Sequence, residues 1–380
     1  MPGRGAPGRE AASLRAVSAA RGTEVAATPG SRALTALSIL RGAVDSGATP
    51  GGVLAAGWGD ETEVLSAYGW AEAGPPGERR AMSTSTVFDL ASLTKVVATL
   101  PVVLRLLADG RIGLGSKVAD LLPGFGTGAA ARAEVTVEHL LTHTSGLPPH
   151  REYWRLGLGS AELRQRFLEE PLELAPGDRP GGKVVYSDIG FMLLGWLAEA
   201  VTGRSLSSLV SEWVAEPLGL GGTGYGPRPA GDVAATEMGP DGRYIVGVVH
   251  DENAACLVAP VGHAGLFSTP GDIATYARAW LSGSEDWLPR RWREEAVRDR
   301  TLGLGGHRGL GWVARGDAFD PLGEAWPATA VSHTGFTGTS LALDPPSGRW
   351  VVLLTNDVHF GRGRGTVKEL RRAVHEALAP

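Results

Sequence analysis

The sequence predicts an α/β protein of the α+β type: an antiparallel β-sheet built from both chain ends, flanked by an N- and a C-terminal helix, with a mostly helical domain inserted between. Three observations carry this. Strand-like runs bounded by turns cluster near the two ends, helix-favouring runs fill the middle, and 380 residues exceed the usual length of one domain. The expected division is a disordered leader over 1–30, a sheet domain from 31–90 plus 300–380, and a helical domain over 91–299, with a cleft for chemistry at their interface.

Taken in order, residues 32–46 have helical spacing (Leu34, Leu37, Leu40, Val44) and stop at Gly47. Two strand-like runs follow, Gly52–Trp58 and Glu63–Trp70, turned at Gly59 and Asp60. The middle favours helix over Ser92–Leu107, Val137–Thr142, Ala161–Glu170, Ile189–Val201, Leu206–Val214 and Asp272–Trp280. Pro101 should kink the first of these after its second turn. Gly309–Ala314, Val331–Thr334, Thr339–Asp344 and Trp350–Thr355 look like strands, the last two joined by a turn at Pro345, Pro346 and Gly348. An amphipathic helix over Val367–Leu378 closes the chain.

A hydrophobic content of 43% with 20% charged residues is that of a globular chain, and a net charge of −5 offers no basic stripe to nucleic acid or an anionic membrane surface. The apolar runs Val96–Leu104 and Ile189–Ala198 are too short to span a bilayer. Met1–Gly30 lacks the apolar core of a secretory signal, so a cytoplasmic location is expected. Cys256, alone in the sequence, excludes an internal disulfide and is expected as a small buried residue. His139 and His143 have the four-residue spacing of a zinc face, but Leu140 stands where a metalloprotease places its glutamate and no third ligand is nearby, so they are taken as structural. No phosphate-cradling glycine motif occurs, and no metal or cofactor is expected.

Nucleophilic catalysis has stronger support. In Phe88-Asp89-Leu90-Ala91-Ser92-Leu93-Thr94-Lys95, three helical steps leave Ser92 and Lys95 about 60° apart around the axis and about 4.5 Å apart along it, so both side chains meet at a helix start. Lysine occurs only at Lys95, Lys117, Lys183 and Lys368, against 32 arginines. A chain that otherwise uses arginine keeps lysine where a proton may have to leave, so Lys95 reads as a base tuned down from about 10.4, and Lys183 as a loop cation. Tyr186-Ser187-Asp188 precedes an apolar helix, placing the phenol at a loop-to-helix junction. His333-Thr334-Gly335-Phe336 lies in a strand-like run, where Gly335 would admit a substrate backbone.

Together these elements resemble the serine β-lactamase and penicillin-binding superfamily, with its S-x-x-K, S-D-N and K-T-G elements; they are most similar to class C β-lactamases and family VIII carboxylesterases, whose middle element is Y-x-N. Leu140–Leu147 and Gly262–Thr269 also resemble that family, and the likeness covers residues 33–378. It implies a β-lactamase/transpeptidase-like fold, Ser92 as the acylated nucleophile, Lys95 and Tyr186 sharing the base role by lowering each other's proton affinity, and an oxyanion hole from the N–H groups of Ser92 and Phe336. Two positions depart from the pattern. Asp188 replaces an amide, either to hold Lys95 charged or to bind a substrate donor, and His333 replaces the lysine that holds the substrate carboxylate in drug-hydrolysing members.

The expected function is therefore a serine hydrolase, a carboxylesterase, acting on a small-molecule ester or acyl donor, with His333, Thr334, Gly335 and Asp188 at the substrate. The alternatives are an acyltransferase with a small-molecule acceptor, a β-lactamase or D-amino-acid peptidase, and an acyl-binding sensor without turnover. The loop Val249–Asn253 would border the cleft, and Trp154 and Trp312 are candidates for an acyl pocket.

Overall fold

The computed structural model describes residues 30–74, 78–126 and 130–380 and the backbone of 24–25. The leader expected over 1–30 otherwise lies outside the described residues. The main sheet has eight antiparallel strands: β1 (Glu24–Val25), β2 (Gly51–Trp58), β3 (Glu61–Glu72), β4 (Arg80–Ala81), and, after a second small sheet, β8 (Val313–Ala314), β9 (Val331–Thr334), β10 (Ser340–Asp344) and β11 (Arg349–Thr355). Their order is β1–β3–β2–β11–β10–β9–β8, with β4 paired to β3. Strand β11 closes the fold by pairing with β2 on one side and β10 on the other, so the two chain ends share one sheet.

Both faces of that sheet are covered, which explains why β11 is buried throughout and apolar from Trp350 to Leu354 rather than alternating. Val351 and Leu353, with Leu54 and Ala56, pack under α1 (Ser31–Asp45) and the C-terminal helix. Val352 and Leu354, with Val53 and Ala55, face a larger core that runs into the helices through Val96, Leu104, Leu194 and Trp312. On α1 the buried residues are Ala33, Ala36, Leu37 and Leu40, whereas Leu34, expected on that face, is exposed.

Several expectations are corrected. The helix expected over Ser92–Leu107 starts as a 3₁₀ turn (Ala91–Leu93), widens to π winding over Lys95–Thr99, and becomes α-helical only in α2 (Leu100–Ala108). The irregularity expected from Pro101 is thus the π winding just before it, and the Val96 carbonyl, which the proline has no N–H to meet, accepts the Tyr276 hydroxyl. The stretch Ala91–Ala108 is long and apolar enough to cross a membrane by length and composition, yet 83% of it is buried in the core. The strand expected over Gly309–Ala314 shrinks to Val313–Ala314, because Arg308 pairs with Val313 across a turn that includes Gly311 at φ 77°. Cys256 lies exposed on the short helix Glu252–Leu257. A second sheet of three very short strands, β5 (Phe88–Asp89), β6 (Gly224–Tyr225) and β7 (Leu266–Ser268), gave no alternation to read. The remaining helices that matter below are α3 (Asp188–Thr202), α4 (Pro270–Ser282) and α5 (Thr366–Ala377). Helix α4, counted above with the helical domain, packs on the sheet across β2 and β11.

Candidate active site

Strand β5 delivers the nucleophile. Its pairing with β7 continues in a bond from Leu90 N–H to Leu266 C=O, and the chain then turns through Ala91, which takes a left-handed φ of 47°. A non-glycine residue held there costs about 1 kcal/mol or more. The Asp89 carboxylate offsets this by accepting the Ala91 N–H at 2.8 Å, and its other oxygen accepts the His250 N–H at 2.7 Å. The Leu93 and Thr94 N–H groups bond back to the Leu90 and Ala91 carbonyls, so of this first turn the Ser92 N–H is the group on the nucleophile itself that can face a ligand.

Two side chains converge on Ser92 from the helical side, and a third, Asp188, braces one of them. Lys95 Nζ donates to Ser92 Oγ at 2.9 Å, and the Tyr186 hydroxyl donates to the same oxygen at 3.0 Å. Lys95 is fully buried; it also donates to the His263 carbonyl at 3.1 Å and pairs with Asp188 Oδ1 at 2.7 Å. The sequence Tyr186-Ser187-Asp188 makes this possible because Ser187 is the N-cap of α3, its hydroxyl accepting the Gly190 N–H. Tyr186 then projects from the loop, and Asp188 stands in the first helical turn, where the helix dipole favours a carboxylate. His143 lies beneath Tyr186 with ring centroids 4.7 Å apart, its Nδ1 accepting the Ser187 N–H.

Electrostatics overturns one expectation. Burial would push the Lys95 amine down, but the Asp188 charge, and then Tyr186, hold it above the ordinary lysine value. Burial also raises the Tyr186 phenol, although the Lys95 charge opposes it. Against its own burial, Asp188 is held well below the ordinary carboxylate range by Lys95 and by its bond to His150. At rest, then, Lys95 is a cation, Tyr186 a neutral phenol and Asp188 an anion. The expected downward tuning of Lys95 is reversed, and of the two roles open to Asp188 the ion pair is the one present.

The opposite wall comes from the end of β9. His333 is buried, and its Nδ1 lies 3.0 Å from the Thr334 carbonyl. Burial, then the charges of Lys95 and Arg308, push its imidazole well below the usual histidine value. Gly335 is needed for a reason other than substrate approach: a Cβ there would lie 2.2 Å from Thr339 Oγ1 and 2.3 Å from the Leu90 carbonyl, so the β9–β10 turn packs directly on the nucleophile strand. Thr337 Oγ1 and Thr339 Oγ1 donate to the Asp89 and Leu90 carbonyls, and Arg371 on α5 donates to the Gly335 and Thr339 carbonyls. The exposed Phe336 ring stacks on His250 at 5.8 Å and lies 5.7 Å from the Arg362 guanidinium. Between the walls is a cavity of about 480 Å³ whose lining includes Ser92, Tyr186, Asp188, His333, Thr334 and Phe336.

The Beta-lactamase family profile matches residues 37–376. This chain belongs to the β-lactamase family. A protein of Escherichia coli K12 provisionally named a D-alanyl-D-alanine carboxypeptidase is 32% identical over 309 residues, covering 73% of this chain and 70% of its own. The hydrolase EstCE1, described as having promiscuous acyltransferase activity, matches in structure with a TM-score of 0.73 at 24% identity, over 90% of this chain and 98% of its own. A penicillin-binding protein homologue from Caulobacter crescentus gives 0.69 at 22% identity, over 93% and 99%. At these identities the structural likenesses show the β-lactamase/transpeptidase fold, and the family is one of serine hydrolases.

The other candidates of this β-lactamase-family chain divide between structural roles and the cavity. His139 closes the start of its own helix in a reciprocal cap with Thr136, and Lys183 is an exposed loop residue. Trp312 is buried against Trp280 and Trp154 packs under Arg155; neither lines the cavity, so the expected tryptophan pocket is absent among the described residues. The loop residues His250, Asp251 and Glu252 do line it. Arg308 and Phe319 were missed. Both line the cavity and flank the Tyr186 ring, Arg308 at 5.8 Å and Phe319 at 5.6 Å. One arginine among 32 carries no sequence signal of its own.

Proposed function

We propose that this β-lactamase-family serine hydrolase is a carboxylesterase that acts through an acyl-enzyme at Ser92. The observation that carries the reading is the pair of contacts, 2.9 and 3.0 Å, that Lys95 and Tyr186 make to one oxygen on the cavity wall. Ser92 Oγ attacks the ester carbonyl and its proton passes into the Lys95–Tyr186 pair. Because both groups rest protonated, the reactive form carries one proton fewer in that pair. The developing oxyanion lies between the N–H groups of Ser92 and Phe336. The alcohol leaves with the proton, and water repeats the sequence on the acyl-enzyme. Every step uses side chains and backbone of this chain, and the partner is a small-molecule ester.

Beside Ser92, neutral His333 stands at the position of a family lysine and Phe319 and Phe336 add apolar surface, which supports esters over anionic lactams, while the cations of the cavity, Arg308, Arg362, Arg364, Lys368 and Arg371, are in the same lining. A second reading, a D-alanyl carboxypeptidase, is favoured by the name of the Escherichia coli relative. Intact-protein mass spectrometry with acyl esters, a D-alanyl-D-alanine peptide and a chromogenic cephalosporin tests both readings. The expected result is a transient adduct on Ser92 from simple esters that clears in water. An adduct formed faster from the peptide would select the second reading, and none from any of them would remove both.

A further inference from the structure

His150 is a titratable cavity residue that the steps above leave unused. Its place is fixed by the same cap that presents Tyr186: Ser187 Oγ donates to the Pro148 carbonyl at 2.7 Å and the Asp188 N–H to the Pro149 carbonyl at 2.9 Å, so the next residue falls beside the Asp188 side chain. On its far side Asn253 Nδ2 donates to the Arg151 carbonyl at 2.8 Å, which ties the segment to the 249–253 loop. His150 Nδ1 then lies 3.6 Å from Asp188 Oδ2, while Lys95 Nζ lies 2.7 Å from Oδ1. One carboxylate thus stands between two nitrogens that can each carry a proton. They differ in access: the Lys95 side chain is fully buried, and that of His150 is 40% exposed in the cavity lining.

We propose that His150 is a positioning residue for charge: it shares Asp188 with Lys95, and a charge on either nitrogen disfavours a charge on the other. Where the two hold one proton between them, the resting form has Lys95 charged and His150 neutral, and the reactive form is the reverse. The proton that leaves Lys95 is matched by one taken up at His150, so Asp188 keeps a cation beside it and the three side chains carry no net charge in either form. The inference rests on the acyl-enzyme reading and specifies how its base form arises. Asp188 raises the proton affinity of His150 against its partial burial, and the carboxylates of Asp251 and Glu252 add to this from the facing loop and helix. Arg151, next in the chain, is engaged by Glu170 and Glu173. His263 also faces Asp188, but it is buried and paired with Asp251 at 3.0 Å. Around Lys95 itself, His143 and His333 are held neutral by burial, and Tyr186 is a neutral phenol.

Coupled sites titrate over a wider span of pH than separate ones. With a coupling of about one unit, wild-type kcat/KM for a neutral ester should rise by only about half a decade per pH unit through the histidine range. His150→Gln, which carries no charge, should rise by about a full decade per unit, about tenfold slower than wild type at pH 6 and equal to it by pH 9. His150→Lys, a cation throughout, should keep the wild-type rate at pH 6. A His150→Gln deficit of one factor at every pH, or no deficit at all, overturns the proposal and leaves His150 a structural or substrate-contacting residue. The wild-type slope decides the matter even if a variant fails to fold: a full decade per unit overturns it. Histidine NMR, with His150 assigned by its loss in His150→Gln, gives a readout independent of turnover. In Lys95→Met the His150 pKa should rise by about one unit, because coupling between two sites is reciprocal. An unmoved value overturns the shared carboxylate. Failure of Ser92 to label with a fluorophosphonate while that shift is present removes the acyl-enzyme reading instead.

Discussion

On the helical wall of the cleft, Lys95, Tyr186 and Asp188 each have a partner within 3.0 Å, and their charges balance. Across the cavity the backbone is pinned just as firmly, by Arg371, Thr337 and Thr339, but no side chain there bonds to Ser92 among the described residues, and the wall offers neutral His333 and the rings of Phe319 and Phe336 to the space between. The contrast separates two tasks. A proton-handling group works best when it is held before substrate arrives, whereas a recognition surface can leave its bonds for the ligand to complete. Reactivity and selectivity should therefore respond to different substitutions.

The largest effect should come from the helical wall. Ser92→Ala should abolish fluorophosphonate labelling and lower ester hydrolysis by about 10⁴-fold or more, the scale for loss of a nucleophile. Labelling that survives would break the comparison at its root. On the opposite wall, the backbone rather than any side chain should matter for rate. Gly335→Ala forces a Cβ to within 2.3 Å of the Leu90 carbonyl, so the turn must shift and take the Phe336 N–H with it. A fall in kcat of about 10²-fold or more is expected, the usual scale for a lost oxyanion donor. A variant that folds and keeps its kcat would show that this N–H does not hold the oxyanion.

A smaller and more diagnostic effect concerns pH. Lys95 and Tyr186 both sit above their ordinary values, so the form with one proton fewer grows as pH rises, and kcat/KM should climb above neutrality. Asp188→Asn removes the anion that holds Lys95 charged. An unpaired buried ammonium neutralises more readily than it remains charged. The rising limb should then move to lower pH by about one unit or more. A limb that stays in place, with stopped-flow acylation as the readout, would mean that Asp188 does not set the proton affinity of the pair.

Much of the helical wall was legible because its chemistry is local. Ser92 and Lys95 are one turn apart, so spacing paired them, and Tyr186 and Asp188 bracket a helix cap, but it was the family resemblance that brought that cap to Ser92. The strands were legible at β2, β3 and β9–β11, where runs of four or more residues carry the pattern, but their order in the sheet was not. What stayed hidden depends on distant contacts. The direction of the Lys95 shift requires knowing that Asp188 lies at 2.7 Å, and the need for glycine at 335 comes from Leu90 and Thr339 rather than from a ligand. Arg308 reaches the site through an isolated bridge to Val313 and an ion pair with Asp317, neither of which leaves a periodic trace. The π winding after Ser92 was hidden too, because nothing in Lys95–Thr99 distinguishes it from ordinary helix.

The smallest expected effect is the absence of one. An exposed histidine, with a pKa of about 6.5, would gain charge between pH 8 and 6 and begin to attract anionic substrates. His333 differs because burial, and then the Lys95 and Arg308 cations, hold its imidazole well below that range, so it stays neutral throughout the interval. Acidification protonates the Lys95–Tyr186 pair further, which slows every substrate alike. The ratio of kcat/KM for a neutral ester to that for an anionic cephalosporin should therefore hold within about twofold from pH 8 to 6, while both absolute rates fall. His333→Lys supplies a cation by sequence instead of by pH and should narrow the ratio about tenfold, the equivalent of one charge-assisted contact of about 1.4 kcal/mol. If the wild-type ratio narrowed on acidification and the lysine variant's did not, His333 would be gaining a proton in the working enzyme. The neutral His333, and with it the division of labour between the two walls, would have to be given up.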